Sequence, residues 1–303
     1  MHINLSLSIA GLLVGFLVGL TGMGGGALLT PLLVLLFRVA PLAAISSDLL
    51  ASLVMKPVGA AVHLRSRTVN WRLVGWLTVG SVPAGFGGAV LIGAIGHRAG
   101  VQDNLKVIIG IALCASVAMM VVRQLIDRRA RRRDSEHGAP EQPLLVRPAR
   151  TVLIGVIGGF AVGMTSVGAG SVIIAMLLLA YPTLRPAKLV GTDIVQAIPL
   201  VGAATLGHLI FGDVQFALTA SLLLGALPGV YLGARLSARG PAALIRPVIA
   251  GVLLASALAL LHVSAPLILV GAVVGFTTIA LLSPRRRPVE PTTAPAEELD
   301  PVH

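Results

Sequence analysis

From Leu5 to Leu282 the chain is a succession of apolar runs, most of them about twenty residues long, separated by short segments that hold most of its charge. A hydrocarbon layer about 30 Å thick takes roughly 20 helical residues to cross, and within it every backbone N–H and C=O has to be paired inside the protein. Runs of this length and number therefore predict membrane-spanning helices. Composition agrees, with 56% hydrophobic residues, 12% charged residues and a mean hydropathy of +0.94, against about 25% charge in soluble domains. The expected class is all-α and polytopic, in one membrane domain whose main partner is the lipid bilayer.

Seven runs read as complete spans, at residues 43–64, 72–95, 103–124, 188–210, 215–236, 243–261 and 265–283. Two further apolar segments, 5–37 and 151–181, exceed one span and carry glycines at their centres. A straight helix of about 30 residues would be about 45 Å long, well beyond the hydrocarbon core. Each of these segments is expected to break.

The two breaks are copies of each other. GFLVGLTGMGGG at Gly15–Gly26 matches GFAVGMTSVGAG at Gly159–Gly170, with seven of twelve positions identical at an offset of 144. At an offset of 145 the match continues through Pro41 and Pro186, Asp48 and Asp193, His63 and His208, Gly80 and Gly225, and Pro83 and Pro228. Duplicated membrane halves are a transporter feature. The domain reading is a first membrane repeat at 1–124 and an Arg-rich linker at 125–150. A second repeat with one additional terminal span follows at 151–283, then a Pro-rich polar tail at 284–303 expected to be disordered.

Charge placement orients the segments. Arg123–Arg150 holds eight arginines, which the positive-inside rule assigns to the cytoplasm together with the Arg285, Arg286, Arg287 cluster. Four full spans lie between Tyr181 and that cluster, so 151–181 has to contribute zero or two crossings and reads as a broken helical hairpin. Arg185, Lys188, Arg235, Arg239 and Arg246 then fall inside, whereas the loops 211–214 and 262–265 carry no Lys or Arg. The same logic in the first half puts Arg65, Arg67 and Arg72 inside and makes the repeats inverted, with Arg98 and Lys106 outside against the trend. The alternative, one kinked span per Gly-rich segment, gives nine spans and parallel repeats. In either case the net charge of +11 is spent on orientation, and no nucleic acid is expected as a partner. Cys114 is the single cysteine, so neither a disulfide nor a cysteine metal site forms within the chain. Met1–Gly15 has no basic region of the kind that opens a signal peptide and reads as a retained element.

Gly22, Met23, Gly24, Gly25 and Gly26 form a run in which each glycine disfavours helix by about 1 kcal/mol. Broken backbone survives at membrane depth when protein or a water-filled cavity surrounds it. Val167, Gly168, Ala169 and Gly170, after Thr165 and Ser166, repeat the arrangement. The helix after each break offers unpaired N–H groups and the positive end of its dipole, which favours an anion. Thr21, Thr165 and Ser166 add hydroxyl donors. Close helix packing is the competing reason for single glycines; doubling of the whole motif argues for a site.

Asp48 and Asp193 are equivalent carboxylates inside apolar runs, preceded by Ser47 and Thr192. Such residues are costly unless paired or functional, and proton coupling and helix capping are both open to them. Lys56 is a basic residue deep in a run, and its equivalent is Val201. It either faces the anion, pairs with Asp48, or binds a carbonyl freed by Pro57. Gln196 is a further polar candidate within a span. His63 and His208 end their runs and read as interfacial, and Trp71, Trp76, Tyr181 and Tyr231 as the aromatic belt.

GLTGMGGGALLTPLL and GMTSVGAGSVIIAMLLL, with SSD at Ser46–Asp48, GTD at Gly191–Asp193, GSVPAGFGGAVL at Gly80–Leu91 and GALPGVYLGARL at Gly225–Leu236, resemble the sulfite exporter TauE/SafE family over residues 5–261. The second motif departs from the first in having Ala169 for Gly25 and Ala175 for Pro31. The resemblance implies a bacterial inner-membrane permease that exports sulfite or organosulfonates or handles related sulfur compounds. The expectation is a secondary transporter for a small inorganic or organic sulfur oxyanion, with a proton as coupling ion, no cofactor, and a homodimer open as its oligomeric state. An intramembrane enzyme would need a nucleophile with its base or a metal-ligand cluster, and no such motif occurs. A scaffold or assembly protein would need a larger protruding surface than these loops provide.

Overall fold

The computed structural model describes residues 4–21, 26–65, 69–98, 100–137, 146–168, 172–181, 186–237 and 245–282. Of the expected site residues, Gly22, Met23, Gly24, Gly25, Ala169, Gly170 and the Thr21 side chain lie outside them, as does the tail at 284–303. The described residues form eleven helices and no strand. The first half contributes α1 (Leu5–Thr21), α2 (Gly26–Leu35), α3 (Pro41–Arg65), α4 (Trp71–Gly96) and α5 (Val101–His137). The second contributes α6 (Pro148–Thr165), α7 (Val172–Ala180), α8 (Pro186–Phe211), α9 (Phe216–Ser237), α10 (Ile245–Leu260) and the additional α11 (Ala265–Leu282).

Seven helices are long and apolar enough to cross a membrane. Their membership differs from the sequence reading. α6 qualifies over Pro148–Thr165 even with Arg150 in its first turn, whereas α10 is described over 16 residues and falls among the shorter apolar helices. α5 also continues to His137, so residues expected to begin the linker at 125 are helical. Ala and Arg are strong helix formers, and RRARRR continues α5 once its apolar stretch ends.

The halves are interleaved through two equivalent pairs. α1 lies along α9, and α6 along α4; each pair takes one helix from each half. Both depend on absent side chains. A Cβ at Gly225 would stand 1.7 Å from Ser8 O, and one at Gly80 would stand 2.2 Å from Val152 O. With little hydrophobic drive between helices in lipid, such close backbone approach supplies the packing.

These contacts also fix direction. Gly11 meets Leu222, Gly15 meets Ala226 and Gly233 meets Phe16, so α1 and α9 are parallel. Gly80 meets Val152 and Gly88 meets Phe160, so α4 and α6 are parallel as well. The equivalent helices α3 and α8 run antiparallel, since Ser46 near the start of α3 meets His208 near the end of α8. Their opposed direction makes the repeats inverted.

The second Gly-centred segment turns back on itself. Tyr181, just after α7, places its hydroxyl 2.6 Å from Thr151 Oγ1 and accepts the Arg147 N–H at 3.0 Å. The end of α7 thus returns to the start of α6, as a broken hairpin requires. In the first half α2 packs against α3. Tyr181, expected in the interfacial belt, is instead 4% exposed, because its hydroxyl fastens the hairpin. Trp71, Trp76 and Tyr231 are exposed, and Arg235 lies over the Tyr231 ring at 5.4 Å.

Described basic residues separate by end. Arg72, Arg128, Arg147, Arg150, Lys188, Arg235 and Arg246 gather where α3 finishes and α4, α6 and α8 begin. Arg38, Arg98 and Lys106 sit at the other end. At the arginine-rich end Arg128 also caps α11, donating to the carbonyls of Leu281 and Leu282.

Candidate functional site

The two breaks meet. Gly26, the first residue of α2, lies against Ser166, the C-cap of α6, so closely that a Cβ on Gly26 would stand 1.9 Å from the Ser166 carbonyl oxygen. Inversion of the repeats brings about this meeting, since α1 and α6 enter from opposite ends of the bundle.

Local hydrogen bonds hold the second break open. Ser166 takes a left-handed conformation, φ 58, and its N–H closes on Val162 O at 2.8 Å. Gly168 has φ 118, a region that residues with a Cβ scarcely enter. Thr165 Oγ1 donates to Ala161 O at 2.7 Å and accepts the Val167 N–H at 3.1 Å. Its hydroxyl therefore supports the turn. Ser166 Oγ is different: the residue is 6% exposed and Oγ has no hydrogen-bond partner among the described residues.

Asp48 is fully buried within continuous α3. Thr30 Oγ1 from α2 donates to its Oδ2 at 2.6 Å, and Ser52 Oγ, one turn on, reaches Oδ1 at 3.4 Å. Ser166 approaches the same carboxylate without closing a hydrogen bond to it. Asp48, the return helix of its own hairpin and the break of the other hairpin thus converge.

Asp193 occupies the corresponding place in α8 and is 1% exposed. Gln196 Nε2 reaches its Oδ1 at 3.4 Å, and Ser81 Oγ in turn donates to Gln196 Oε1 at 3.0 Å. Lys56 is half-buried and feels Asp193 first and Asp48 second. Among the described residues it closes no ion pair with either, so neither aspartate holds it outright. Ser47 and Thr192 face the opposite repeat: Ser47 Oγ accepts the Gln215 N–H at 3.1 Å, and Thr192 Oγ1 accepts the Asn70 N–H at 3.0 Å.

His208, expected at the interface, is fully buried. Its Nε2 lies 2.9 Å from Gly163 O, which can only accept, so Nε2 carries the hydrogen. Nδ1 accepts from Ser46 Oγ at 2.8 Å, and Ser46 Oγ accepts the Asp213 N–H at 3.2 Å. One imidazole thereby ties α3, α6 and α8 together at the arginine-poor end. The His63 side chain lies outside the described residues.

Thr30, Ser52, Ser81 and Ser46 were not among the expected site residues. Ser52 follows Asp48 by four positions and so shares its helix face, a signal available in the sequence. Thr30, Ser81 and Ser46 reach their partners across helices.

Residues 7–260 match the family profile described as Sulfite exporter TauE/SafE. The chain belongs to this family. Among curated proteins it is 38% identical over 262 residues to Probable membrane transporter protein YjnA of Bacillus subtilis, covering 85% of this chain and 100% of that one. It is 26% identical over 250 residues to Probable membrane transporter protein YdhB of the same organism, covering 80% and 96%. To Probable membrane transporter protein MJ0441 of Methanocaldococcus jannaschii it is 29% identical over 188 residues, covering 59% and 63%. No solved structure matches the chain. The TauE/SafE chain is thus a multi-pass membrane transporter built from inverted repeats.

Proposed function

We propose that the protein exports a small sulfur oxyanion, sulfite or an organosulfonate, across a bacterial inner membrane by alternating access of its two repeats. The observation that carries this reading is the contact between Gly26 and Ser166, where two interrupted helices meet inside the bundle. The N-terminus of α2 there offers its unpaired N–H groups and the positive end of its dipole to an anion. Lys56 offsets part of the negative charge of the two aspartates. Sulfite as the cargo rests on the family's description.

The arginine-rich end is the cytoplasmic one in this reading, which places the central linker and the tail inside. A proton carried on an intramembrane carboxylate, Asp48 or Asp193, would couple transport to the membrane gradient. Purified protein in vesicles loaded with radiolabelled sulfite tests the cargo. Efflux should exceed that from protein-free vesicles and respond to an imposed pH gradient. Equal efflux rejects sulfite, and indifference to the gradient rejects the proton.

A further inference from the structure

The two equivalent carboxylates have unequal surroundings. Asp48 gathers Thr30 Oγ1 at 2.6 Å and Ser52 Oγ at 3.4 Å, whereas the positions equivalent to Thr30 and Ser52 are Ile174 and Ala197. Ser166 adds a hydroxyl that is buried, close to Asp48 and without a hydrogen-bond partner among the described residues. Ser166 is also where α6 ends, so the negative end of that helix and its terminal carbonyls come to the same place.

We propose that Asp48, Thr30, Ser52 and Ser166 form a binding site for a sodium-sized monovalent cation. Hard cations take carboxylate, hydroxyl and carbonyl oxygens together, and the C-terminal ends of interrupted helices coordinate Na⁺ in secondary transporters. All four residues are at most 6% exposed, so water does not compete for their oxygens. Charge selects a single positive unit: Lys56 acts on Asp193 first and Asp48 second, so two carboxylates and one ammonium leave one negative charge. Asp48 closes no ion pair among the described residues, and no group of three or more His, Cys, Asp or Glu converges among them to hold a divalent ion.

A proton on Asp48 would neutralise the same charge but engage one oxygen. A cation engages the carboxylate and three hydroxyls at once, including the one left over at Ser166. The site goes beyond the transport reading: it exists whatever the cargo is, and its test contains no sulfite.

The full chain in detergent is melted at fixed pH in NaCl and in choline chloride of equal ionic strength. Na⁺ should raise Tm on the order of 3 °C above choline once it exceeds its Kd about tenfold. The increment should vanish in Asp48→Asn and in Ser166→Gly, the second being a change that φ 58 accepts without strain. It should survive Thr277→Val, which alters a hydroxyl bonded within its own helix. If Asp48→Asn fails to fold, Ser166→Gly decides. Equal Tm in the two salts, or an increment retained in Ser166→Gly, overturns the site. So does a Tm that follows pH but ignores Na⁺, which would leave Asp48 to the proton.

Discussion

The backbone N–H of Asn70, the N-cap of α4, donates to Thr192 Oγ1 at 3.0 Å, one residue before Asp193. Its repeat-equivalent, Gln215 before α9, donates to Ser47 Oγ at 3.1 Å, one residue before Asp48. Each aspartate-bearing helix is therefore fastened to the opposite repeat beside its carboxylate. Thr192 also donates to Lys188 O at 2.6 Å, so its hydroxyl is used in both senses.

Removing either hydroxyl should strand a backbone N–H. An unsatisfied buried donor costs about 1–3 kcal/mol; both bonds are part-buried, which puts the loss near the low end, at a fall of about 2–4 °C per kcal/mol. Thr192→Val and Ser47→Ala should each lower Tm by several degrees. The two sites share no bonded partner, so the double variant should show nearly additive losses. A strongly sub-additive double variant would mean that the two fastenings do not act independently.

Local pattern accounts for what the sequence disclosed. The repeat is a covalent pattern, and glycines inside apolar segments report a break by backbone cost alone, so the second hairpin and the inversion of the repeats were legible from Gly168 and the arginine distribution. Asp48 and Asp193 stood out because a carboxylate in an apolar run is expensive wherever it folds. Contacts between distant segments were not legible. Nothing near Thr30 in sequence announces that it donates to Asp48, and nothing near Tyr181 shows its hydroxyl returning to Thr151. His208 was misread because its run ends there, although the ring packs inward against Ser46 and Gly163.

Two glycines, Gly225 in α9 and Gly75 in α4, separate packing from propensity. Gly225→Ala would drive a Cβ to 1.7 Å from Ser8 O, a backbone atom that cannot swing aside. Overpacking of this kind costs about 1–3 kcal/mol or more. Gly75→Ala is the control: a Cβ there meets nothing within 4 Å, and alanine favours helix by up to about 1 kcal/mol. Gly225→Ala should lower Tm and Gly75→Ala should hold or raise it. Comparable falls in both would remove the α1–α9 contact as the cause.

Ser46→Ala tests the bracket at the arginine-poor end. The change removes the acceptor of the Asp213 N–H and the donor to His208 Nδ1 together, stranding two polar groups at about 1–3 kcal/mol each. In a His208→Leu background the imidazole is already gone, so Ser46→Ala should cost less there than in the native chain. An equal cost in both backgrounds would show that Ser46 and His208 are not coupled.

The hairpin makes the sharpest topological prediction. Tyr181 OH meets Thr151 and Arg147, so the chain segments before α6 and after α7 share one face of the membrane. With Cys114 replaced by alanine, Arg147→Cys and Lys188→Cys should both react with an impermeant maleimide applied from the same side of oriented vesicles. Asp213→Cys, in the link between α8 and α9, should react from the opposite side, because α8 crosses between Lys188 and Asp213. The Arg147 side chain is exposed and its contacts to Tyr181 are made by backbone atoms, so the substitution leaves the fastening in place. Labelling of Arg147→Cys and Lys188→Cys from opposite faces would make 151–181 a single kinked span, and the repeats would then be parallel.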